Sequence, residues 1–328
     1  MKKVLMMTGS AGFIGSNFVK TICCREDVKA QYDFVLVDAL TYAGRKENID
    51  ADLKANSHLT FVHADIRDSA KMHELFTKYN FDGVLNFAAE SHVDRSIESP
   101  NIFVETNVLG TLNLLKESLA NFEKKPGFKY LQVSTDEVYG TLGMEDAPFT
   151  EQTPIAPNSP YSASKASADL ICRSYFETFK LPVVITRCSN NYGPLQVEEK
   201  FIPLMIKRAL AGESMPVYGT GLNIRDWIYV DDHNDGVWMA FTKGHSGEVY
   251  NFGGNSERQN LDVAKLLLKH LDKPESLIQF VTDRKGHDFR YAIDYSKAER
   301  ELKWQPKVRF EQDGLLRTIE YYRNLWAK

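Results

Sequence analysis

The sequence lacks the features that mark secreted, membrane and metal-dependent proteins. Its 328 residues include only four cysteines, without a Cys-x-x-Cys pair, so no disulfide scaffold is expected. The eight histidines show no metal-ligand spacing, and no metal is expected. The apolar run at residues 4–7 is too short for a signal peptide, and no run approaches a membrane span. We therefore expect a soluble cytoplasmic protein without a membrane partner.

The sequence also lacks a large excess of either basic or acidic residues. Forty Lys and Arg stand against 44 Asp and Glu, which gives a formal net charge of −4. Proteins that bind nucleic acid by neutralising phosphates carry a basic surplus, so no nucleic-acid partner is expected. Single basic side chains could still bind a small phosphorylated ligand. At roughly 150 residues a domain, the length suggests two domains.

What the sequence does contain is an alternation of short apolar runs with amphipathic stretches. Runs typical of buried parallel strands occupy residues 4–7, 34–37, 59–62, 84–87, 130–133 and 183–186. Stretches typical of helices occupy residues 14–24, 69–78 and 102–120. The alternation predicts an α/β fold, a doubly wound parallel sheet of the Rossmann type.

The pattern loosens beyond about residue 188, where Pro and Gly separate short elements. We expect a second, smaller α/β domain that binds the substrate. The runs at residues 226–230 and 247–252 are interpreted as returning to the large sheet. The predicted dinucleotide-binding domain is therefore 1–187 plus about 226–254, and the predicted substrate domain is about 188–225 plus 255–328.

Three glycines follow the first predicted strand at intervals of three. Gly9 permits a tight turn, Gly12 lets the backbone approach a pyrophosphate, and Gly15 allows close packing of helix and strand. The N terminus of the following helix offers free N–H groups to phosphates. This GxxGxxG spacing differs from GxGxxG, but its place between a strand and a helix predicts a dinucleotide site.

An acidic residue ends the next predicted strand. Asp38 lies 23 residues after Gly15, where a carboxylate can accept hydrogen bonds from the ribose hydroxyls and repel a 2′-phosphate. We therefore expect NAD rather than NADP. Asp65 and Ile66 follow the third strand and could meet the adenine. The alternative for Asp38 is a capping or turn residue.

Candidate catalytic residues follow the fifth predicted strand. Thr135, Asp136 and Glu137 lie at its carboxyl end, where doubly wound folds place ligands. Tyr161 and Lys165 are four residues apart, so they share one helical face. We expect the lysine to lower the pKa of the tyrosine, which could then take a proton from an alcohol. Alone, a Tyr-x-x-x-Lys pair is usually an ordinary surface pair.

These motifs resemble the extended short-chain dehydrogenase/reductase superfamily and, within it, the dTDP-glucose 4,6-dehydratase family. The resemblance covers nearly the whole chain, at residues 8–16, 38–44, 88–96, 134–140, 161–167, 190–194, 223–227 and 283–287. It implies oxidation at C4 of the sugar, removal of the C5 proton by Glu137, protonation of the C6 hydroxyl by Asp136, and return of hydrogen to C6. From the residues alone, the two acids could have the reverse roles.

The resemblance also implies the ligand contacts and a homodimer formed through residues 102–120 and 161–178. The implied NAD contacts are Gly9, Gly12, Phe13, Ile14, Gly15, Asp38, Ala39, Leu40, Thr41, Asp65, Ile66, Ala88, Ala89, Thr106, Tyr161, Lys165 and Asn191. The implied nucleotide-sugar contacts are Ser91, His92, Thr135, Asn190, Lys200, Phe201, Pro216, Tyr218, Arg225, Asn260, Asp283, Arg284 and His287.

Three alternatives stay open: a nucleotide-sugar 4-epimerase, a catalytically inactive NAD sensor, and a 4,6-dehydratase of UDP-glucose, UDP-N-acetylglucosamine or CDP-glucose. Asp136 and Glu137 argue against an epimerase, and the Tyr/Lys pair argues against a sensor. Ser10, Leu195, Val197, Glu198 and Lys285 differ from the residues usual in the family. Ser10 leaves the glycine triplet intact, whereas the other four leave the substrate open.

Overall fold

The computed structural model describes residues 1–125 and 127–326. The strands are β1 Lys3–Thr8, β2 Tyr32–Asp38, β3 Leu59–His63, β4 Gly83–Asn86, β5 Lys129–Thr135, β6 Val183–Cys188, β7 Asn190–Tyr192, β8 Met215–Tyr218, β9 Ile224–Tyr229, β10 Val249–Phe252, β11 Glu257–Gln259 and β12 Ile278–Val281. The α-helices are α1 Phe13–Phe18, α2 Glu26–Lys29, α3 Asp50–Ala55, α4 Ser69–Tyr79, α5 Val93–Glu98, α6 Pro100–Phe103, α7 Thr111–Phe122, α8 Pro160–Phe179, α9 Phe201–Ala211, α10 Val230–Lys243, α11 Asn260–Leu271, α12 Ser296–Leu302 and α13 Leu315–Trp326.

A seven-stranded parallel sheet forms the larger part of the molecule. Its strand order is β10-β6-β5-β4-β1-β2-β3, and it contains all six strands predicted from the apolar runs. β1 lies between β2 and β4, so consecutive strands are added on both sides of it. A crevice opens outside the carboxyl ends of the strands where the order reverses in this way. The predicted doubly wound α/β fold is confirmed.

Alternate side chains of each strand enter two different cores. Leu5 and Met7 pack in one cluster with Phe34, whereas Met6 packs in the other with Val35. Successive side chains of a strand point to opposite faces, so helices on both faces bury most positions of the strands, with β3 at the edge the more exposed one. This burial explains why the strands read as continuous apolar runs rather than as alternating ones.

The predicted helices are present, but two contain wider turns. The stretch at 14–24 is α1 followed by a π-helical segment, Val19–Cys23. The stretch at 102–120 consists of α6, the π-helical segment Val104–Gly110 and α7. Apolar periodicity predicts the length of such stretches but not single π turns, because the inward face changes little.

The smaller part is built around two short sheets. β7 pairs in parallel with β9, β9 pairs antiparallel with β11, and β8 pairs in parallel with β12. The interpretation of residues 226–230 was wrong, because Ile224–Tyr229 pairs with Asn190–Tyr192 outside the large sheet. The expectation for 247–252 was right, since Val249–Phe252 joins β6. The domain boundaries stay a prediction, and residues 327–328 lie outside the described residues.

No helix in residues 1–125 and 127–326 is long and apolar enough to cross a bilayer.

A buried ion pair joins the large sheet to α8. The Arg187 side chain on β6 contacts the Asp169 carboxylate at 2.9 Å, and the two side chains are only 5% and 1% exposed. The guanidinium also lies 4.8 Å from the ring centre of Tyr139. The pair fixes α8 against the strand next to β5, and α8 carries Tyr161 and Lys165 in its first turns.

Removing one member of this pair should destabilise the fold strongly. We expect Asp169→Ala to lower the free energy of unfolding by about 3–5 kcal/mol, because it leaves the Arg187 charge buried and uncompensated. Urea denaturation measures the loss. The matched control is Asp33→Ala, which breaks an exposed pair with Lys2 and should cost no more than about 1 kcal/mol. Equal losses in the two variants would contradict this assignment.

Candidate active site

A cavity of ≈ 470 Å³ opens at the carboxyl edge of the large sheet. Ligand pockets of roughly 300–1,000 Å³ hold small organic molecules. All five predicted catalytic residues lie on its wall: Thr135, Asp136, Glu137, Tyr161 and Lys165. The predicted cofactor residues on the wall are Gly9, Gly12, Phe13, Ile14, Gly15, Asp38, Ala39, Thr41, Asp65, Ile66, Ala88, Ala89, Thr106 and Asn191.

The glycine-rich turn forms one side of this cavity and has no room for side chains. Gly9 has a φ of +66°, and a Cβ there would lie 2.6 Å from the Ala88 nitrogen. A Cβ on Gly15 would lie 2.0 Å from the Gly9 oxygen. Gly12, the N-cap of α1, has more space, with its nearest neighbour 3.5 Å away. The turn thus presents bare backbone to the cavity, which suits a phosphate group.

Asp38 lies beside that turn. Its carboxylate accepts hydrogen bonds from the backbone N–H groups of Ala11 and Leu40, both at 2.8 Å. Burial raises its pKa, and these hydrogen bonds oppose the rise. Leu40, which was predicted to contact the cofactor, does not reach the wall. It packs against the core and holds Asp38 through its N–H group.

Thr135 organises the acid pair at the end of β5. Its hydroxyl donates to the Asp136 carboxylate at 3.2 Å and accepts the backbone N–H of Glu137 at 3.3 Å. The two acids begin a 3-10 helix, Asp136–Tyr139. The hydroxyl therefore caps this short helix and fixes both acids on the cavity wall.

Tyr161 and Lys165 are positioned by the start of α8. Ser159 caps the helix in a capping box with Ser162, so the helix begins at a defined residue. The Lys165 ammonium donates to the Val133 carbonyl at 2.6 Å. The expectation that Lys165 lowers the pKa of Tyr161 was wrong: burial and the nearby Glu137 carboxylate raise it well above the ordinary value.

The two acids have different electrostatic surroundings. Burial raises the pKa of Asp136 well above its ordinary value, and the carboxylates of Glu137 and Asp226 raise it further. Burial also raises the pKa of Glu137, but three cations oppose the rise. In order of effect, these cations are Arg284, Arg225 and Lys200. The pKa of both acids is therefore raised, and the cations make Glu137 the acid that loses its proton more readily than Asp136.

Unsatisfied polar atoms face the same cavity. Within residues 1–125 and 127–326, Ser134 Oγ, Asp136 Oδ2, Asn190 Oδ1 and Asn191 Oδ1 are buried without a hydrogen-bond partner, and all four residues line the wall. Buried polar atoms normally have partners. These atoms are therefore suited to hydrogen bonds with a bound ligand.

The predicted nucleotide-sugar residues divide into two groups. Ser91, Asn190, Lys200 and Thr135 lie on the cavity wall. The others lie outside it, on neighbouring elements of the smaller part and on α5: His92, Phe201, Pro216, Tyr218, Arg225, Asn260, Asp283, Arg284 and His287.

The outlying residues occupy defined positions around the cavity. The Asp283 carboxylate contacts His287 Nδ1 at 2.7 Å, and the His287 ring lies 6.1 Å from that of Tyr218. The Arg225 guanidinium lies 4.3 Å from the ring centre of Tyr291. Together with the effect of Arg225 and Arg284 on Glu137, these contacts place cationic side chains beyond the acid pair.

The last members of this group take structural positions. His92 caps α5, and Phe201 begins α9, where its ring stacks on Trp227 at 6.2 Å. Pro216 lies in β8, and Asn260 begins α11.

Several wall residues were missed by the sequence analysis. Arg67, Glu90, Cys188, Gln196 and Val197 all line the cavity. Glu90 lies within a segment that carried the resemblance, and Cys188 ends a predicted strand, so both had a positional signal. Val197 was noted as a departure from the family, whereas Gln196 had no signal, because it reaches the wall only through the fold.

In the part of the chain that the structure describes, no group of three or more His, Cys, Asp or Glu residues is placed to hold a metal ion.

The fold and the site define a Rossmann-type α/β protein with a dinucleotide-sized cavity and a Thr-Tyr-Lys set. The chain belongs to the family described as GDP-mannose 4,6 dehydratase, whose model matches residues 6–315.

The names of individual similar proteins specify the nucleotide sugar more narrowly than the family model does. The chain is 51% identical over 332 residues to a dTDP-glucose 4,6-dehydratase of Xanthomonas campestris pv. campestris, covering 97% of this chain and 92% of that one. It resembles the crystal structure of DesIV, a dTDP-glucose 4,6-dehydratase from Streptomyces venezuelae solved with NAD bound. That likeness has a TM-score of 0.92 and 44% identity, and it covers 98% of both chains.

An epimerase is also similar in structure but more distant in sequence. The UDP-glucose 4-epimerase of Thermotoga maritima has a TM-score of 0.88 and 30% identity, covering 98% of this chain and 99% of that one. The resemblance to the dTDP-glucose 4,6-dehydratase family is confirmed.

The position of Asp38 predicts discrimination between dinucleotides. We expect NAD to bind more tightly than NADP, because the carboxylate repels a 2′-phosphate. Asp38→Asn should reduce this preference by roughly tenfold or more, since the charge is lost while the shape is kept. Equilibrium titration of both cofactors measures the ratio. Asp33→Asn, on the same strand and exposed, is the control. Comparable affinities in the unchanged protein would rule out this role of Asp38.

Proposed function

We propose that this protein is an NAD-dependent 4,6-dehydratase that converts dTDP-glucose to dTDP-4-keto-6-deoxyglucose. The observation that carries the proposal is the acid pair Asp136–Glu137, held beside Tyr161 on the wall of a cavity that begins at a glycine-rich turn. Relatives that are 44–51% identical over almost the whole chain are named dTDP-glucose 4,6-dehydratases.

The residues present fit NAD. The bare backbone at Gly9, Gly12 and Gly15 would hold the pyrophosphate, and Asp38 would accept hydrogen bonds from the adenosine ribose. When bound, NAD would supply two-electron redox chemistry at the sugar, and Glu137 would return to C5 the proton that it removed, so that atoms and charge balance over one turnover. The net redox change is zero, so the cofactor has no need to leave between turnovers.

Tyr161 is the proposed base for the oxidation at C4. Its hydroxyl lies on the wall near the Thr135 hydroxyl, which opposes the rise of its pKa. Lys165 donates to the Val133 carbonyl and would place a cation at the end of β5, although burial lowers its pKa. Tyr161 would take the proton of the C4 hydroxyl, and Thr135 would orient that hydroxyl.

Glu137 and Asp136 are the proposed base and acid of the elimination. Once C4 is a ketone, the C5 hydrogen lies next to a carbonyl and becomes acidic. Glu137, surrounded by cations, would be ionised and would remove that proton. Asp136, buried among carboxylates, would be protonated and would donate to the departing C6 hydroxyl. This electrostatic difference supports the roles that the sequence left reversible.

The alternatives receive less support. The epimerase is 30% identical, whereas the dehydratases are 44–51% identical. The identity of the nucleotide is less certain than the reaction, because two residues that differ from the family lie near the predicted substrate contacts. Val197 lies on the cavity wall, and Lys285 lies between predicted nucleotide-sugar contacts. We propose dTDP-glucose as the substrate because the relatives are named for it. The assay described below compares it with other nucleotide sugars.

Two further expectations belong to this proposal. A homodimer through α8 and the 102–120 region accords with exposed apolar side chains there, since Val104, Leu109 and Leu170 are each about half exposed. Sedimentation equilibrium tests it, and a monomer at micromolar concentration would exclude it. The cytoplasmic location stays a prediction, which cell fractionation tests.

The direct test is product analysis. With dTDP-glucose labelled with deuterium at C4, the product should be a 4-keto-6-deoxy sugar with the label at C6. A product that keeps its C6 oxygen would exclude the dehydratase. Parallel assays compare turnover of UDP-glucose, UDP-N-acetylglucosamine, CDP-glucose and GDP-mannose and show which nucleotide sugar the enzyme prefers.

The acid pair predicts the effect of single substitutions. Glu137→Gln and Asp136→Asn should each slow elimination by about 10²–10⁴-fold, because each removes one proton-transfer group. The matched control Glu145→Gln, in an exposed loop, should leave turnover unchanged. Near-normal turnover in both variants of the pair would refute the assigned roles.

The cations around Glu137 predict a pH dependence. Glu137 must be ionised to act as a base, so turnover falls as the pH falls through its pKa, which burial raises above the ordinary 4.5. Arg284→Met removes the cation with the largest opposing effect, so the acidic limb of kcat should move to higher pH. Arg173→Met, an exposed pair partner on α8, is the control. An unmoved limb would contradict the assignment of Glu137.

A further inference from the structure

Residues 194–200, here called the strap, cover one side of the cofactor cavity. Gln196, Val197 and Lys200 of the strap line the wall opposite the glycine-rich turn and Asp38. The strap follows β7 and leads into α9, so both of its ends belong to the smaller part of the molecule. A dinucleotide on the turn would therefore lie between the large sheet and the strap.

Neutral hydrogen bonds hold the strap from both sides. On its own side, the Tyr322 hydroxyl of α13 donates to the Gln196 carbonyl at 2.6 Å. On the other side, the Asn17 amide of α1 donates to the Pro194 carbonyl at 2.9 Å. These bonds fix the first half of the strap.

Charged side chains hold the second half. The Glu199 carboxylate accepts from the Arg95 guanidinium at 3.0 Å, and that guanidinium lies 3.8 Å from the ring centre of Tyr42. Glu198 lies 4.0 Å from the guanidinium of Arg45. Tyr42 and Arg45 flank Ala43 and Gly44, which line the cavity. The ion pairs thus join the strap to the loop that follows Asp38.

His92, Lys200 and Tyr42 are further titratable groups near Glu199. The Nε2 atom of His92 lies 3.8 Å from the Glu199 carboxylate. Burial lowers the pKa of His92, so near neutral pH the ring is uncharged and Arg95 is the cationic partner.

We propose that Glu199, acting through Arg95, is a positioning residue that keeps the strap closed over the cofactor, so that NAD is retained from one turnover to the next. This inference rests on the proposed NAD-dependent function. A reaction without net redox change gains nothing from cofactor exchange, and retention would keep the enzyme loaded. Opening of the strap would break the Arg95–Glu199 contact and the hydrogen bond that Lys200 donates to the Ser91 carbonyl at 2.8 Å.

The expected size follows from the exposure of the pair. The Arg95 and Glu199 side chains are 47% and 26% exposed, so water and salt weaken their attraction. The stacking of Arg95 on Tyr42 adds to the contact and reduces the freedom of the guanidinium. We expect loss of the Glu199 charge to speed NAD dissociation by roughly five- to tenfold.

The test measures cofactor release rather than activity. The full-length protein is loaded with radiolabelled NAD, chased with excess unlabelled NAD, and sampled for retained label. Glu199→Gln should release NAD faster by the stated factor. The control Glu213→Gln removes a carboxylate from an exposed pair with Arg208, beyond the end of α9 that is remote from the strap, and it should match the unchanged protein.

A double-mutant cycle and salt separate positioning from general loosening. Arg95→Gln alone should speed release, and adding Glu199→Gln to it should speed release little further, because the two residues act as one contact. Raising NaCl from about 0.05 to 0.5 M should speed release in the unchanged protein and have less effect in Glu199→Gln. Thermal unfolding without NAD verifies that the variants remain folded.

The outcomes are distinct. Equal release rates in the unchanged protein and Glu199→Gln, or an equal gain in Glu213→Gln, would overturn the positioning role while the dehydratase proposal stands. A protein that binds no NAD would overturn the proposed function and this inference together.

Discussion

The alignment of parallel strands by their backbone hydrogen bonds is the constraint on which the site depends. Thr8 pairs with Val37 and Asn86, and Thr135 pairs with Cys188, so the strands of this sheet end along one edge. The turns that follow them must then meet in one crevice. The glycine-rich turn, Asp38 and the acid pair, which are distant in sequence, come together for this reason.

Neighbouring side chains stabilise the charge that is buried at that edge of the sheet. Asp136 and Glu137 are adjacent carboxyls in a dry site, and two ionised forms there would repel each other. The smaller part of the molecule supplies Lys200, Arg225 and Arg284, whose charges act on Glu137. These cations oppose the rise in the pKa of Glu137, whereas burial and two carboxylates raise the pKa of Asp136 well above its ordinary value. The proposed division of roles between the acids thus depends on side chains from the second part of the molecule.

Local signals predicted the large sheet well because each parallel strand is buried on both faces. The same reasoning misplaced residues 226–230, since an apolar run does not state which neighbour it pairs with, and β7 offers an edge just after β6. The same reasoning also predicted the wrong direction for the pKa of Tyr161. Spacing placed Lys165 on the same helical face, but the ammonium is held at Val133, and burial decides the direction of the tyrosine pKa.

The sequence by itself determined the local parts of the site. These are the glycine triplet, the acid at the end of β2, the acid pair after β5 and the Tyr/Lys helix. Each is a local pattern, set by steric demands of a turn, a strand end or a helical face. Only the tertiary structure decided which cations face Glu137, that Leu40 supports Asp38 from the core, and that Glu199 reaches Arg95. Those contacts join residues that are far apart in sequence, from 63 positions (Glu137 and Lys200) to 147 (Glu137 and Arg284), or depend on a side chain turning inward. No short-range pattern encodes such packing.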